Sequence, residues 1–300
     1  MKKVIYLFAI CLASLVVFNS CNNDDDGPET VPLRDRTEEA TAAQLEIEEY
    51  LETHFYNYED FENPSAEFDF KIVFDTIAGE NANKIPLIEQ VSSKMVRDRL
   101  EEGLMYKLYF LKVIQGGGES PNFPDIVNNT YEGRLLDNTL FDSSTIPVRF
   151  DLTNVINGYQ DIAKEFNGAS NIIQNPDGSL DFEDFGVGAM FIPSGLGYFG
   201  SGQGSIIEPY DQLIFTFQLY TVEAGDQDND GILSINEDLN NNGLEEDDDT
   251  DEDGLPNYFD NDDDNDGILT SDEIEIDDDG NITFPDADGD GTPDYLDSDS

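Results

Sequence analysis

The spacing of hydrophobic and polar residues changes along the chain, and each spacing predicts a different element. Between residues 37 and 55 the apolar residues recur every three or four positions, which predicts an amphipathic helix. Five later segments are rich in aromatic and β-branched residues and are bounded by turn-forming residues, which predicts strands. The five predicted strands are residues 104–114, 126–136, 148–152, 188–192 and 212–222.

Only one helix fits among these strands, over residues 155–166. We therefore predict an α+β fold in which an antiparallel sheet wraps one short helix. A small segment precedes the sheet, with a strand over residues 68–77 and a short helix over residues 92–103. A polar excursion over residues 167–186 contains its own turn at residues 175–178.

The N-terminus has the organisation of a bacterial signal sequence. Lys2 and Lys3 are followed by an apolar run that is short for a membrane span. Ser20 and Cys21 resemble a lipobox, which implies that Cys21 carries a lipid anchor in the bilayer. Cys11 leaves with the signal, so Cys21 has no disulfide partner. The alternative is ordinary signal cleavage with an incidental cysteine. The acidic residues after Cys21 resemble the surface-export signal of lipoproteins in the Bacteroidota.

Charge is spread unevenly over the 300 residues. The formal net charge is −53, and residues 226–300 hold 30 of the 67 acidic residues but no Lys or Arg. A chain of this charge repels phosphates, so nucleic-acid binding is excluded. The last quarter is therefore a separate region of different composition.

One glycine-rich string matches a nucleotide-binding pattern. Residues 195–200 read GLGYFG, but the residues that follow cannot start the helix that holds a pyrophosphate. We interpret the string as a flexible, glycine-rich flap.

Four fragments, taken in order, resemble the FKBP-type peptidyl-prolyl isomerases. They are YEGRLLDNTLFDSS at 131–144, VINGY at 155–159, IP at 192–193 leading to GY at 197–198, and IIEP at 206–209 followed by LIF at 213–215. Order and spacing agree with the family over about residues 104–223, except for the polar excursion. The alternative is a generic α+β domain whose aromatic residues only pack in the hydrophobic core.

The resemblance implies a proline-binding pocket and no cofactor for catalysis. Its residues in this chain would be Tyr131, Phe141, Asp142, Val155, Ile156, Tyr159, Tyr198, Ile207 and Phe215, with Val148 also in the wall. Tyr159 would be the floor, and Asp142 a buried carboxylate. The backbone N–H of Ile156 and the hydroxyl of Tyr198 would hold substrate carbonyls.

The chain also departs from the family pattern. The family's floor is usually Trp, and this chain has none. An Arg that often pairs with the pocket Asp is lost, and Gln203 stands where the flap often has His. Two functions remain open: a prolyl isomerase acting on exported polypeptides, or a non-catalytic module that binds proline segments in a chaperone or adhesion role.

Glycine recurs through the acidic region at intervals of 11 to 13 residues, and oxygen-bearing side chains precede each glycine at alternate positions. Positions 1, 3, 5 and 12 of a calcium loop carry such ligands, with Gly at position 6. The four strongest predicted ligand sets are Asp226, Asp228, Asp230 and Glu237; Asp249, Asp251, Asp253 and Asp260; Asp262, Asp264, Asp266 and Glu273; and Asp286, Asp288, Asp290 and Asp297.

This spacing leaves no room for the two helices of an EF-hand. The region instead resembles thrombospondin type-3 repeats, in which successive loops share ligands around structural calcium ions. We expect weak affinity, about 10⁻⁴–10⁻³ M, as in extracellular modules. The alternative is a disordered acidic spacer.

These interpretations divide the chain into five parts: a signal peptide (1–20), a tether (21–36), an N-terminal helix and strand segment (37–103), an FKBP-like domain (104–223) and calcium-binding repeats (224–300). The predicted location is the outer membrane, as a lipoprotein on the cell surface or the periplasmic face. The role of residues 37–103 is left open.

Overall fold

The computed structural model describes residues 32–299. The predicted signal peptide, Cys21 and most of the predicted tether lie outside these residues. The helices are α1 Arg36–Thr53, α2 Tyr58–Glu62, α3 Asn157–Ala163 and α4 Thr270–Glu273. The strands are β1 His54–Tyr56, β2 Phe74–Thr76, β3 Ser92–Arg97, β4 Met105–Ile114, β5 Ile126–Leu135, β6 Leu140–Asp151, β7 Asn171–Gln174, β8 Leu180–Glu183, β9 Gly186–Ile192, β10 Leu213–Glu223, β11 Glu275–Ile276 and β12 Ile282–Thr283.

Six strands form the central sheet in the order β3-β4-β9-β10-β5-β6, and each neighbouring pair is antiparallel. Every residue of β9 is buried, as expected for a strand in the middle of a sheet that is covered on both faces. The predicted α+β class with an antiparallel sheet is confirmed, and the five predicted strands are all present. The polar excursion forms a separate hairpin from β7 and β8.

The two faces of the sheet are covered by different helices. Successive residues of a strand point to opposite faces. Phe215 therefore joins the core on the α3 side, where it packs with Tyr159 and Ile162. Ile214 joins a second core with Leu51 of α1. Helix α1 thus helps to cover the face of the sheet that lies opposite α3.

Helix α1 begins one residue earlier than predicted. Asp35 caps it, because Asp35 Oδ1 accepts hydrogen bonds from the backbone N–H groups of Thr37 at 2.9 Å and Glu38 at 3.0 Å. The helix ends at Thr53, and His54 stacks on Tyr50 with the ring centroids 3.8 Å apart. His54 therefore packs against the last turn of α1.

The short helix predicted over residues 92–103 is wrong. Residues 92–97 form the edge strand β3, paired from Ser92 with Phe110 to Arg97 with Met105. An edge strand exposes much of its surface, so the polar residues of this segment are compatible with a helix as well as with a strand. Hydrogen bonding to β4 makes the segment a strand. The predicted strand over residues 68–77 is reduced to β2, because Phe70 has a φ of 57°. The sheet therefore includes a strand from before the predicted boundary at residue 104.

A glycine allows α3 to lie close against the sheet. A Cβ atom on Gly158 would lie 2.5 Å from Cγ2 of Ile192, which is inside van der Waals contact. This close approach explains the glycine in the fragment VINGY. Helix α3 is shorter than predicted, and it starts directly after Ile156.

The acidic region consists of loops joined by single turns, the four-residue helix α4 and the small hairpin β11–β12. In four loops the backbone N–H at position 2 donates to a side-chain oxygen seven residues later. These bonds join Gln227 to Ser234 (3.3 Å), Thr250 to Asn257 (2.9 Å), Asp263 to Thr270 (3.2 Å) and Ala287 to Asp294 (2.7 Å). The four loops thus repeat one structure as well as one sequence pattern.

Apolar burial in this region is small. Ile232, Ile274 and Tyr295 form its core. The region contacts the rest of the fold through polar bonds, such as Arg99 Nε to Glu246 Oε1 at 3.2 Å, and through the ring of Tyr258, whose centroid lies 6.0 Å from that of Phe123. Among residues 32–299, no helix combines the length and the apolar character needed to cross a bilayer.

Candidate functional site

A cavity of about 610 Å³ opens between β5, β6, β10, the start of α3 and residues 193–212, which we call the flap. The lining is mostly aromatic and aliphatic. It consists of Tyr131, Phe141, Asp142, Phe150, Asn154, Val155, Ile156, Tyr159, Tyr198, Gln203, Gly204, Ser205, Ile206, Ile207 and Phe215. All nine predicted site residues lie at this one cavity.

Val148, the tenth residue expected in the wall, does not line the cavity, and Phe150 does so instead. The Phe150 ring centroid lies 5.0 Å from that of Tyr131 and 5.5 Å from that of Tyr159. Residues 148 and 150 are two positions apart on β6, so both side chains point to the same face of the sheet, and strand alternation alone could not show which of them lines the cavity. The position of the cavity along the strand decides between them.

The aromatic rings meet edge to face. Tyr159 is buried beneath the cavity, and its ring contacts that of Phe215 at a centroid distance of 5.7 Å and an angle of 89°. Phe141 meets Phe215 at 5.4 Å and 80°. Such T-shaped pairs are the favoured geometry of aromatic contacts, so the rings hold one another in place.

Gly133 makes room for one of these rings. A Cβ atom there would lie 2.4 Å from Cε2 of Phe141 and 3.0 Å from Cε1 of Phe215. Gly133 and Tyr131 stand two residues apart on β5 and so share a face. The Tyr-x-Gly pattern therefore places one aromatic wall and leaves space for the next.

The hydroxyl of Tyr159 has a partner that the sequence did not reveal. Tyr159 Oη donates to Oδ1 of Asn129 at 3.2 Å, and Asn129 on β5 is completely buried. Burial raises the pKa of Tyr159, so the phenol stays neutral and keeps its proton for this bond. A polar residue at the centre of a buried strand was the signal that could have drawn attention to Asn129.

Asp142 is not the buried carboxylate that the resemblance implied, because it is exposed at the rim of the cavity. It still faces the site, since Tyr131 Oη donates to Asp142 Oδ2 at 2.6 Å. Burial and this hydrogen bond raise the pKa of Tyr131. The pair forms a polar edge on an otherwise apolar cavity.

Several residues that line the cavity carry hydrogen-bond donors without partners among residues 32–299. Two of these donors are the backbone N–H of Ile156 and the hydroxyl of Tyr198. Burial and the nearby charge of Asp142 raise the pKa of Tyr198, so its hydroxyl remains a donor at neutral pH. A carbonyl-bearing ligand in the cavity could accept from either group.

The flap is anchored by the first turn of α1. Arg36 Nη2 donates to the carbonyl oxygen of Gly195 at 3.0 Å, and its guanidinium lies 4.3 Å from the ring centroid of Phe199. Arg36 Nε also bonds Oδ2 of the buried Asp98 at 2.7 Å. Ser194 Oγ donates to Oε1 of the buried Glu39 at 3.1 Å. The N-terminal segment, whose role the sequence left open, thus holds the segment that carries Tyr198.

The acidic region brings carboxylates together in five groups. We name loop A (226–237), loop B (249–260), loop C (262–273) and loop D (286–297) after the predicted ligand sets. In each loop the carboxylates at positions 1, 3 and 5 offer ligand oxygens within 4.8 Å of one another. Asp260, Glu273 and Asp297 lie outside the groups found among the described residues.

The fifth group was not foreseen. Glu237 lies with Asp230 of its own loop and with Asp263 of loop C, and all three are buried. Asp263 occupies position 2, between two predicted ligands, so the alternating pattern passed over it. Only the approach of loop C to loop A reveals it.

These carboxylates resist ionisation. Burial and the charges of Asp228 and Asp230 raise the pKa of Glu237 to about 10. Burial and the charge of Asp230 raise the pKa of Asp263 to about 8. Unpaired negative charges in a buried site have this effect, and a bound cation would reverse it.

Over about two fifths of its length the chain is similar in sequence to bacterial proteins, one of which is named as a proline isomerase. It is 35% identical over 125 residues to the probable FKBP-type peptidyl-prolyl cis-trans isomerase FkpA of Neisseria meningitidis, covering 41% of this chain and 39% of that protein. It is 30% identical over 127 residues to the outer membrane protein MIP of Legionella longbeachae, covering 41% and 46%. The matches thus span less than half of these relatives, and they support the resemblance to the FKBP-type family.

A solved peptidyl-prolyl cis-trans isomerase of Pseudomonas syringae pv. tomato is 27% identical, with a TM-score of 0.33 and coverage of 39% of this chain and 75% of that one. The acidic region matches a different family model. Residues 227–285 match the model described as BamM C-terminal.

Proposed function

We propose that this protein is an FKBP-type peptidyl-prolyl cis-trans isomerase acting on proline-containing polypeptides. The observation that carries the proposal is the single cavity shared by nine of the ten residues that the resemblance named. The sequence similarity to the Neisseria protein supports it.

The physical demands of the reaction suit this cavity. Rotation about an X-Pro bond crosses a barrier of about 18–20 kcal/mol, which amide resonance sets. The twisted amide has lost resonance and charge separation, so an apolar, water-poor cavity favours it over the planar form. The rotation requires no nucleophile and no general base. Aromatic walls around Tyr159 would hold the proline ring.

The two donors would fix the neighbouring carbonyls. The N–H of Ile156 comes from the residue that precedes α3, whose close packing at Gly158 makes its position rigid. The hydroxyl of Tyr198 comes from the flap, which α1 anchors. The backbone on either side of the proline would thus be held while the bond between rotates.

The cis–trans exchange rate of a proline peptide, measured by NMR, tests this proposal. We expect acceleration by the wild type and a loss of about tenfold or more in kcat/KM for Phe141→Ala, because an aromatic wall is removed. Tyr198→Phe, which removes one hydrogen bond, should cost a factor of about three to thirty. Leu140→Ala is the matched control, since Leu140 is exposed beside Phe141 and does not line the cavity.

The outcome also separates the two candidate functions. Rates equal to buffer alone for wild type and variants would refute the isomerase. If a proline peptide binds, and Phe141→Ala weakens binding while no protein accelerates the exchange, the cavity belongs to a non-catalytic binding module.

We further propose that the acidic region binds structural calcium. Twelve buried carboxylate oxygens in loops A, B and C and at Asp248 have no hydrogen-bond partner within residues 32–299. Buried polar groups without partners are rare and costly, and a cation that accepts only oxygen ligands would satisfy these. When bound, calcium would supply the positive charge that the region lacks, and the loop carboxylates would wrap it. Calorimetric titration of the metal-free protein tests this, and no binding at millimolar calcium would refute it.

Finally, we propose a lipid anchor at Cys21 and a location at the outer membrane, with exported polypeptides as substrates. The signal sequence carries this proposal, and the name of the Legionella relative is in keeping with it. Cell fractionation tests it. The wild type should be found in the membrane fraction and Cys21→Ser in the soluble fraction. Equal membrane association of both would remove the anchor.

A further inference from the structure

Loops A and C meet at three buried carboxylates. Asp230, Glu237 and Asp263 are 3%, 1% and 2% exposed, and each offers an oxygen within 4.8 Å of the others. Two of the residues belong to loop A and the third to loop C. The contact therefore joins parts of the chain that lie far apart in the repeat pattern.

Nothing among the described residues balances these charges. Five of their oxygens lack a hydrogen-bond partner: Asp230 Oδ2, both oxygens of Glu237 and both of Asp263. The last Lys or Arg in the sequence is Lys164, and the acidic region contains none. Burial of a carboxylate without a partner is strongly unfavourable in free energy, and a bound cation would offset this cost.

The ligand chemistry selects among cations. Every ligand atom of this group is a carboxylate oxygen, with no nitrogen or sulfur, and such a set suits a hard cation. Calcium accepts six to eight oxygens in flexible geometry, whereas magnesium demands near-ideal octahedral geometry and usually keeps several waters. A buried group built only of protein carboxylates therefore favours calcium.

We propose that a calcium ion binds between loops A and C, held by Asp230, Glu237 and Asp263, next to the ion expected within loop A. This inference rests on the proposed calcium binding of the acidic region. Asp230 belongs to both groups and would bridge the two ions. Two ions carry four positive charges against the five negative charges of Asp226, Asp228, Asp230, Glu237 and Asp263, whereas one ion would leave three charges unbalanced.

Asp263 is the residue that makes this site specific to one pair of loops. At position 2 the other loops carry Gln227, Thr250 and Ala287. Gln227 instead reaches the isomerase-like domain, where its Nε2 donates to the carbonyl oxygen of Pro124 at 2.6 Å. The shared ion would therefore attach loop C to the loop that is itself attached to the domain.

Calcium stoichiometry of the full-length protein tests the proposal. Metal-free wild type, Asp263→Asn and Asp278→Asn are titrated with calcium chloride, and bound calcium is counted after equilibrium dialysis. Asp278 is exposed and belongs to none of the five groups, so Asp278→Asn is the control for losing one negative charge. We expect Asp263→Asn to bind one ion fewer per chain, and Asp278→Asn to match the wild type.

A second measurement separates ligand loss from misfolding. Without metal, Asp263→Asn replaces an unpartnered buried carboxyl group by an uncharged amide of similar size, so the acidic region should melt at the same or a higher temperature than in wild type. With calcium it should melt lower. A purely structural role for Asp263 would lower both melting temperatures, and that result would overturn the proposal.

Double variants sharpen the assignment. Losses of calcium-induced stabilisation in Asp263→Asn and Glu237→Gln should be less than additive, because both remove the same ion, whereas Asp263→Asn and Asp249→Asn should add. An unchanged ion count in Asp263→Asn, with calcium-binding wild type, refutes this site alone. Absence of calcium binding by the wild type refutes the calcium proposal for the whole region.

Discussion

The isomerase-like domain and the acidic region differ in what they bury. The domain buries two apolar cores, one on each face of its sheet, and its largest hidden side chains include Phe166, Phe191 and Leu111. The acidic region buries four apolar or aromatic side chains, Ile232, Tyr258, Ile274 and Tyr295, and a larger number of carboxylates. Apolar burial stabilises a fold in any buffer, whereas buried like charges stabilise nothing until a counter-ion arrives.

The difference also bears on function. The proposed catalysis depends on the shape of the cavity, on the exclusion of water and on a few hydrogen-bond donors. The walls of the cavity must therefore be rigid. The acidic loops need only hold oxygens at the right spacing, and their rigidity would come from the ion. On the calcium proposal, the chain combines a domain that folds by itself with a region whose folding would depend on bound ions.

Removal of calcium should have the largest effect, and that effect should be confined to the acidic region. At neutral pH we expect a chelator to expose the backbone of residues 226–299 to hydrogen exchange while the sheet stays protected, because only the acidic region depends on cations. Hydrogen exchange by mass spectrometry measures both regions in one sample. Equal protection with and without calcium would break the comparison.

The pH dependence of the metal-free protein should be next in size. The pKa values of Glu237 and Asp263 are raised to about 10 and about 8 from ordinary values of 4.5 and 3.8, so the folded region holds more protons than the unfolded chain between those limits. Its metal-free stability should therefore fall as the pH rises through that window. Calcium affinity should rise over the same range, because the ion displaces the protons.

Thermal melts at pH 5 and pH 8, after metal removal on a chelating resin, test this sign. The acidic region should melt at a higher temperature at pH 5. The calcium-saturated protein is the control, and its melting temperature should change in the opposite direction. A metal-free region that is more stable at pH 8 contradicts the prediction.

Arg36→Ala should show that the domain extends to the N-terminal helix. The change leaves the buried Asp98 without its cation, although Tyr106 Oη and the N–H groups of Leu100 and Glu101 still donate to it. We expect a loss of about 3 kcal/mol in the free energy of unfolding, at the low end for a broken buried pair.

The same variant should affect the proposed activity, because Arg36 also holds Gly195 in the flap. A purely stabilising residue would leave kcat/KM unchanged in the folded fraction at low temperature. We expect kcat/KM to fall there, with partial recovery in Arg36→Lys. Arg34→Ala is the comparison at an exposed guanidinium, which pairs with the buried Glu39.

The smallest expected effect is that of Tyr159→Phe. It leaves Oδ1 of the fully buried Asn129 without its donor, which should cost about 1–3 kcal/mol in the free energy of unfolding. The double variant Tyr159→Phe with Asn129→Leu should recover part of that loss, because neither group then needs a partner. Urea denaturation of the single and double variants measures it, and a neutral Tyr159→Phe would mean that the bond contributes nothing.

The sequence alone determined four of the six central strands and nine of the cavity residues. Strand spacing predicted β4, β5, β9 and β10 within a few residues, because alternation and β-branched composition act locally. The glycines of the two key fragments could be placed on strand and helix in advance. The loop carboxylates followed from a strict repeat, since an alternating order of oxygens is a local property.

Only the tertiary structure decided the rest. It made residues 92–97 an edge strand, placed Phe150 in the wall in the position expected for Val148, and left Asp142 exposed at the rim. It paired Tyr159 with Asn129, Arg36 with the flap, and Asp263 with a loop that ends 26 residues earlier at Glu237. In each case the deciding partner is distant in sequence, and hydrogen bonds and charges act through space rather than along the chain.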